Sequence, residues 1–296
     1  MRALRQLPLK SDYNGSIMRP KIGLALSGGG VRGYVHIGVL KVLQEAGVLV
    51  DCIGGTSMGG LIAAAYACGV PIDEIEEKAL HLAQVRNLIK LIDLSPQRRG
   101  LLDMTRVRDM LVDFFLDRCF ENLSIPLTLP AVDLVSAREV VFTNGMVLPA
   151  VLATIAVPGL FSPVSIGEWR LVDGGVLNNL PVDRVRQLGA DVVIGIEAQS
   201  DPHEEKPWQD IGDRPRFPLP LPDYLLDFYR AELIMIHQIT ETRLQTDPPD
   251  LLLRPALPAG IEMFLSFPRA KEVIDAGEAA ARDALPDIMR LVEERG

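Results

Sequence analysis

The chain has 296 residues, of which 48% are hydrophobic and 23% are charged, so it is predicted to bury a large core rather than to stay disordered. Its net charge of −9 argues against a nucleic-acid partner, because no basic stripe is present to neutralise phosphates. The mean hydropathy of +0.19 is high, yet no apolar run reaches the ~18 residues that a membrane-spanning helix needs. A well-filled parallel sheet or a lipid-facing surface would explain that value.

Residues 1–20 carry a basic bias but lack the apolar core of a secretory signal, so they are predicted to form a loosely ordered tail. The remaining residues, 21–296, are predicted to form one domain. Cys52, Cys68 and Cys119 are odd in number and lack metal-site spacing, which predicts free thiols in a reducing compartment. In the absence of another targeting signal, the chain is predicted to be cytoplasmic.

Strands and helices alternate in the first part of this domain. Ile22–Leu26 reads as a buried strand that ends in a glycine-rich turn, and residues 33–46 have helical spacing. Residues 50–54 form a second predicted strand, followed by an apolar helix over 61–68 and an amphipathic helix over 72–92. Short connections between such elements predict parallel strands with right-handed crossovers.

Further strands and helices are predicted in the second part of the chain. The predicted strands lie at residues 128–135, 139–143, 169–172, Val192–Ile196 and 250–253. The predicted helices lie at residues 147–156, at about 225–243 and at the C-terminus. Residues 201–223 are rich in proline and acidic groups, which predicts a long surface loop.

The most specific motif is a G-x-S-x-G sequence at residues 55–59, between a predicted strand and an apolar helix. A sharp strand-to-helix turn holds a serine hydroxyl clear of the sheet, and Gly55 and Gly59 let the backbone bend that closely. The N–H groups at the start of the following helix favour negative charge at this point. Ser57 is therefore a candidate nucleophile; the alternative is a structural turn in which the serine is incidental.

The glycine-rich turn after the first strand has two interpretations. Gly28, Gly30 and Gly33 match the G-x-G-x-x-G fingerprint of dinucleotide-binding proteins, and Asp51 lies near the spacing of its acidic residue. However, Asp51 stands near the start of the second strand, whereas the fingerprint needs the acid at the end of that strand. The second interpretation is an oxyanion hole formed by the N–H groups of Gly28, Gly29 and Gly30. The position of Asp51 favours the oxyanion hole.

A third motif follows the strand predicted at residues 169–172. Asp173 precedes Gly174 and Gly175, and an acid at a strand end lies where open α/β proteins bind ligands. An ordinary Asp-Gly turn is the alternative. Arg32, within the glycine-rich turn, either holds that loop, attracts a lipid phosphate, or is simply solvated.

In a catalytic triad, the histidine would have to follow the acid in the sequence. No histidine of this chain has neighbours that would fix an imidazole in that role. His36 and His81 precede the acid, while His203 lies in the acidic loop and His237 within an amphipathic helix. A carboxylate that hydrogen-bonds a serine hydroxyl can itself act as general base. The candidate serine and acid are therefore predicted to form a two-residue catalyst.

Together, the three motifs resemble those of the patatin-like phospholipase family, which combines a G-G-G-x-R/K-G loop, a G-x-S-x-G elbow and a D-G-A/G motif in this order. Here they stand at residues 28–33, 55–59 and 173–175. Residues 153–164 resemble the block that connects the last two motifs, with Thr154 where the family often has serine. The resemblance is strong over residues 21–200, the motif core, and weak over 201–296.

This resemblance implies a three-layer α/β/α fold with a mostly parallel central sheet, and one catalytic domain over residues 21–296. Residues 201–296 are expected to supply the acyl site and surface elements. The resemblance further implies a dyad of Ser57 and Asp173 that hydrolyses fatty acyl esters of phospholipids, lysophospholipids or related lipids through an acyl-serine intermediate. It implies no metal ion and no organic cofactor.

The expected partner is a lipid acyl ester, met at a membrane or micelle surface. Residues 72–92 and 221–229 are expected to make that contact; packing of these faces on the sheet is the alternative. Neither the head group nor the oligomeric state follows from the sequence. Three other functions stay open: a dinucleotide-binding protein that uses the glycine-rich turn, a regulatory lipid-binding module with a vestigial esterase site, and an acyltransferase.

Overall fold

Helices cover both faces of an eight-stranded central sheet in the computed structural model of the chain. The structure describes residues 10–11, 17–92, 100–115, 117–199, 223–261, 263 and 266–295. Residues 201–222 of the loop predicted at 201–223, including His203, lie outside the described residues, as does most of the predicted N-terminal tail. Asp223 is the first residue of a helix. No helix in the described part of the chain is long and apolar enough to cross a lipid bilayer.

Ten strands occur among the described residues. They are β1 (Lys10–Ser11), β2 (Ile17–Met18), β3 (Ile22–Leu26), β4 (Cys52–Gly55), β5 (Leu127–Asp133), β6 (Arg138–Phe142), β7 (Val164–Ile166), β8 (Trp169–Asp173), β9 (Val192–Ile196) and β10 (Leu251–Leu253). β1 and β2 form a separate antiparallel pair. The other eight strands form the central sheet.

The strand order in the central sheet is β10-β9-β3-β4-β5-β8-β7, with β6 paired to β5. The strands from β10 to β5 are parallel, and β6, β7 and β8 pair in antiparallel fashion. In the β3–β4 ladder, Leu26 lies beside Gly55. The turns that follow these two strands therefore lie side by side at one edge of the sheet.

Nine helices accompany these strands in the described ranges. They are α1 (Val35–Glu45), α2 (Ser57–Ala67), α3 (Ile72–Leu82), α4 (Val85–Ile89), α5 (Met104–Phe115), α6 (Val147–Thr154), α7 (Val182–Gln187), α8 (Asp223–Thr246) and α9 (Ala270–Arg295).

The strand residues alternate between two cores. Leu24, Leu26 and Ile194 belong to the larger core, which α1, α2, α3, α5, α6 and α9 cover. Ala25 and Val193 belong to a smaller core on the other face, which α7 covers. Because successive residues of a strand point to opposite faces, this division shows helices on both sides of the sheet. The predicted three-layer α/β/α fold with a mostly parallel sheet is confirmed, with one helical layer much thinner than the other.

Most predicted elements are present with small shifts at their ends, and β3 and β9 have the predicted bounds. The helix predicted at 61–68 begins earlier, at Ser57. Glycines weaken a helical pattern in the sequence, but here close packing keeps the first turn helical. The single helix predicted at 72–92 is wrong: it is divided between α3 and α4, with Gln84 in an extended conformation. The sequence also did not indicate α5, α7 and β7.

Candidate active site

Ser57 stands at the turn between β4 and α2. Its φ of 53° lies in the left-handed region, which non-glycine residues rarely adopt. Such strain persists only where the surrounding structure enforces it, and it is characteristic of the turn that presents a nucleophilic serine. The side chain is 9% exposed. The first N–H groups of α2 point toward this position and favour negative charge there.

The glycines of the G-x-S-x-G motif are required by close approaches of the backbone. A Cβ at Gly55 would lie 2.4 Å from the carbonyl oxygen of Gly59. A Cβ at Gly59 would lie 2.4 Å from the carbonyl oxygen of Ser27. A methyl group at Gly55 would distort the elbow itself, and one at Gly59 would force the elbow away from the end of β3. Both glycines therefore allow the backbone path that presents the candidate serine.

The glycine-rich turn lies directly against this serine. A Cβ at Gly28 would come within 2.9 Å of the Cβ of Ser57. The N–H of Gly28 donates to the carbonyl of Asn179 at 3.1 Å, so it is already occupied. The N–H groups of Gly29 and Gly30 have no acceptor within the described ranges. Both residues line the cavity that contains Ser57.

Arg32 connects the glycine-rich turn to Ile261. It is 5% exposed, and its Nε and Nη2 donate to the carbonyl of Ile261 at 3.1 and 2.8 Å. The neighbouring residue Val31 is bonded to the same part of the chain, because its N–H donates to the carbonyl of Met263. Of the three interpretations of Arg32, the burial contradicts the solvated arginine, and the bonds to Ile261 are those expected of a residue that holds the loop. Gly33 packs against the side chain of Met58.

Asp173 reaches the same edge from the opposite direction. β8 runs antiparallel to β5, and Asp173 lies beside Ala131, further along β5 than the residues that pair with β4. The acid therefore points back toward Ser57, although its strand does not belong to the parallel set from which the edge position was predicted. Gly174 passes close to Pro130, where a Cβ would lie 2.4 Å from the carbonyl oxygen.

The two carboxylate oxygens of Asp173 have different surroundings. Oδ1 accepts the N–H of Gly175 at 2.8 Å. Oδ2 is buried and has no hydrogen-bond partner of good geometry in the described part of the chain. Burial raises the pKa of Asp173 to about 7, against the opposing effects of the Ser57 hydroxyl and the Gly175 N–H. An acid with a pKa near neutrality exchanges protons readily at physiological pH, as a general base must.

A small cavity that is partly open to solvent joins these groups. Its described lining residues are Gly29, Gly30, Ser57, Val157, Asp173, Gly175, Val176, Asn179, Gln199, Tyr229, Glu232, Leu233, Ile236 and Met263. Four of them belong to α8, which forms one wall of the cavity. Tyr229 is 6% exposed and its hydroxyl donates to the carbonyl of Pro158 at 3.3 Å, so the prediction that it belongs to an outer lipid-contacting surface is wrong.

Two further polar residues support the elbow. The Oγ1 of Thr154 accepts the N–H of Ser57 at 3.2 Å and donates to the carbonyl of Pro130 at 2.6 Å. The Oγ1 of Thr56 donates to the carbonyl of Asn178 at 2.8 Å. Thr154 lies in the block of residues 153–164, so the sequence did mark the segment, but not the contact.

The described histidines do not line the cavity. His36 is fully buried, and its Nε2 lies 2.8 Å from the carbonyl oxygen of Ser27. Burial lowers the pKa of His36 to about 4, so it stays neutral. His81 and His237 lie on α3 and α8, and neither is among the residues that line the cavity. Among the described residues, no group of three or more His, Cys, Asp or Glu side chains is arranged to hold a metal ion.

Asp51, the acid of the dinucleotide interpretation, lies at the far end of its strand. Its carboxylate pairs with the guanidinium of Arg19 at 2.6 and 2.7 Å and accepts the N–H of Ile22 at 2.7 Å. β4 separates it from Ser57. Asp51 therefore does not lie beside the glycine-rich turn, where an acid that binds a ribose would have to be.

Comparison with known proteins identifies the family. Residues 24–186, more than half of the chain, match the family model described as patatin-like phospholipase. The chain belongs to the patatin-like phospholipase family.

Relatives of this family resemble the chain over more than half of its length. An uncharacterized NTE family protein of Mycobacterium tuberculosis is 36% identical over 177 residues, which are 60% of this chain and 49% of that protein. Neuropathy target esterase of Drosophila melanogaster is 33% identical over 183 residues, which are 60% of this chain and 13% of that protein. The chain thus spans about half, or less, of the length of the curated relatives that it matches.

Solved structures are more distant. A human GIVD cytosolic phospholipase A2 in complex with methyl gamma-linolenyl fluorophosphonate has a TM-score of 0.48 and 14% identity, with 93% of this chain and 59% of that chain covered. VipD from Legionella pneumophila has a TM-score of 0.46 and 14% identity, with 95% and 71% covered. The fold is established by the sheet order and the two helical layers rather than by these scores.

Proposed function

We propose that this patatin-like protein is a serine lipid acyl hydrolase that uses Ser57 and Asp173 as a catalytic dyad. The observation that carries the proposal is that a buried serine at positive φ shares one cavity with a buried acid whose Oδ2 has no other partner among the described residues. A structural serine in a glycine turn would need neither the strained backbone nor the unpaired acid. Family membership supports the same reaction class.

In the proposed acylation step, Oδ2 of Asp173 takes the proton of the Ser57 hydroxyl as Oγ attacks the acyl carbonyl. When the bond from the acyl carbon to the alcohol oxygen breaks, the alcohol leaves with a proton and Asp173 returns to its ionised form. The N–H groups of Gly29 and Gly30 stabilise the oxyanion. The N–H of Gly28 is bonded to Asn179 and is left with the role of shaping the turn. A preformed donor of this kind typically lowers the free energy of the transition state by ~3 kcal/mol.

In the proposed deacylation step, a water molecule gives a proton to Asp173 and attacks the acyl-serine. The fatty acid leaves, and Ser57 recovers its proton from Asp173. If another alcohol took the place of water, the same groups would transfer the acyl chain instead. Product analysis with and without an added alcohol separates these two outcomes.

A lipid substrate has to be drawn from a membrane or micelle, and α8 is the element best placed to meet that surface. Its inner face lines the cavity, whereas Phe228, Ile234 and Met235 on its outer side are 47%, 43% and 54% exposed. We propose that this outer face contacts the lipid aggregate. By contrast, α3 buries Ile72 and Ile75 in the larger core, where it packs beside α1, α2 and α9.

The test is hydrolysis of a short p-nitrophenyl acyl ester by the purified protein and by a Ser57→Ala variant. The wild type should turn over the ester without added metal, and the variant should be inactive with an unchanged circular dichroism spectrum. Equal activity of the two proteins would refute the dyad. Titration with NAD tests the dinucleotide-binding alternative, and turnover itself excludes a vestigial esterase site.

A further inference from the structure

Glu232 is a second acid in the cavity of the proposed dyad. It lies on α8, is 8% exposed, and lines the same cavity as Ser57 and Asp173. It has no hydrogen bond or ion pair with the described part of the chain. Burying an unpaired carboxyl group is unfavourable even when it is neutral, and much more so when it is charged. A group retained under these conditions calls for a functional explanation.

The surroundings of Glu232 favour its protonated form. The titratable groups that face it across the described cavity are Ser57, Asp173 and Tyr229, and none of the described lining residues is Lys, Arg or His. Burial and then the charge of Asp173 raise the pKa of Glu232 to about 7. Burial and then the charge of Glu232 also raise the pKa of Tyr229, which therefore stays neutral.

When the two carboxyl groups share one proton, the proton resides on Glu232. The ionised form of Asp173 is stabilised by the Gly175 N–H and the Ser57 hydroxyl, and Glu232 has no such donor among the described residues. Two carboxyl groups in one low-dielectric cavity do not both ionise easily, so they lose their protons in separate steps. The site near neutral pH thus contains an ionised base, Asp173, and a neutral acid, Glu232.

We propose that Glu232 is a further catalytic residue, the acid that protonates the leaving alcohol oxygen of the substrate. This inference rests on the proposed acyl hydrolase function. When the tetrahedral intermediate collapses, the bond between the acyl carbon and the alcohol oxygen breaks and its electron pair stays on that oxygen. The oxygen takes the proton of Glu232. Glu232 then regains a proton from Asp173, which had received it from Ser57, so protons and charge balance.

The dependence of the rate on the leaving group tests this role. An alkyl ester, such as a monoacylglycerol, releases a strongly basic alkoxide that needs a proton, whereas nitrophenolate leaves without one. General acid catalysis typically contributes ~10²-fold or more. In Glu232→Gln, kcat/KM for the alkyl ester should therefore fall ~10²-fold, and the ratio of alkyl to nitrophenyl activity should fall at least ~10-fold.

Two further variants keep this test decisive. Glu232→Leu removes the buried acid without leaving a polar group, so it should fold and should lower the same ratio. Asp227→Asn removes a carboxylate from the exposed side of the same helix and should leave both activities unchanged. Wild-type activity on the alkyl ester should also decline on the alkaline side as Glu232 loses its proton, and this decline should be absent in Glu232→Gln.

The outcomes separate this inference from the function on which it rests. If nitrophenyl ester turnover depends on Ser57 but Glu232→Gln and Glu232→Leu leave the ratio of activities unchanged, Glu232 is not the acid and the inference is wrong. If both ester activities fall equally in both variants, Glu232 has a structural role and the inference is again wrong. If turnover does not depend on Ser57, the proposed function itself fails.

Discussion

Two walls of the cavity differ in how strongly the sequence encodes them. The first wall consists of the glycine-rich turn, the Ser57 elbow and the Asp173 turn, and all three have local motifs. The second wall is α8, which brings Tyr229 and Glu232 into the cavity with no motif. Residues positioned by an unusual backbone leave a signature in the sequence, because only glycine fits their surroundings. Residues positioned by the packing of an ordinary helix leave none.

Substitution of the proposed base should have the largest effect. Asp173→Asn keeps the shape of the side chain but removes its ability to take a proton, so kcat for a nitrophenyl ester should fall by ~10²-fold or more. His237→Ala, on the second wall but outside the cavity, should stay within about threefold of wild type, on the scale of ordinary surface changes. A matching collapse in the histidine variant would indicate a Ser–Asp–His triad.

The pH dependence of the reaction should reflect the burial of Asp173. Because the pKa of Asp173 is raised to about 7 and the ionised form is the base, kcat/KM for the nitrophenyl ester, whose leaving group needs no proton, should be constant above that pH. Below it, the rate should fall by ~10-fold per pH unit as the base is protonated. The measurement is a pH–rate profile with the nitrophenyl ester between about pH 4 and about pH 9. Full activity down to about pH 5 would show an unperturbed aspartate instead.

A smaller loss is expected when the first wall is distorted without removing a reacting group. Gly30 has a φ of +54°, and a Cβ there would lie 2.4 Å from the carbonyl oxygen of Met263. Gly30→Ala should therefore displace the proposed oxyanion donors and lower kcat by ~10-fold or more.

Gly47 provides the matched control for this substitution. It has a φ of +71°, and a Cβ at this position would meet no described atom within 4 Å; the residue follows α1, away from the cavity. Gly47→Ala introduces similar backbone strain, worth ~1–2 kcal/mol of stability. It should lower the melting temperature but not kcat. Equal kinetic losses in the two variants would mean that strain alone, rather than displaced donors, explains the effect of Gly30→Ala.

The second wall should matter most for aggregated substrates. Activity is expected to rise when the substrate forms micelles, and Phe228→Ser and Met235→Ser should each make this rise a fewfold smaller. The reason is that a fully inserted apolar side chain contributes ~1.5–3 kcal/mol to binding through its burial. Hydrolysis of a soluble ester should be spared. Leu49→Ser, a change at an equally apolar residue that is 61% exposed, is the control. If activity shows no break at the micellar concentration, the outer face of α8 has no role in lipid contact.

Much of the fold could be predicted because the parallel strands are short, apolar and buried on both faces. β3 and β9 combine these properties with glycines or small residues at their ends, and both were located correctly. The division between α3 and α4 could not be predicted, because the helical spacing of Ile75, Leu82 and Ile89 continues across Gln84 in the sequence. The antiparallel direction of β8 also left no local signal, since pairing partners are chosen by the whole sheet.

The candidate site shows the same division. Ser57, Asp173 and their glycines were found from motifs, whereas the bond from the Ser57 N–H to Thr154 depends on how α6 packs beside α2. Glu232 is one of several acidic residues on α8, and only the packing of that helix over the cavity distinguishes it from Asp227 and Glu241. A helical pattern in the sequence indicates which face of a helix is buried, but not which reactive groups that face contacts.

Labelling with a fluorophosphonate probe tests the proposed nucleophile most directly. The folded wild-type protein should take up one probe per chain, and peptide mapping should locate it on Ser57. Ser57→Ala should remain unlabelled, and Asp173→Asn should be labelled much more slowly because the serine has lost its base. Stoichiometric labelling of a different serine, or no labelling of a protein that hydrolyses esters, would contradict the Ser57–Asp173 dyad.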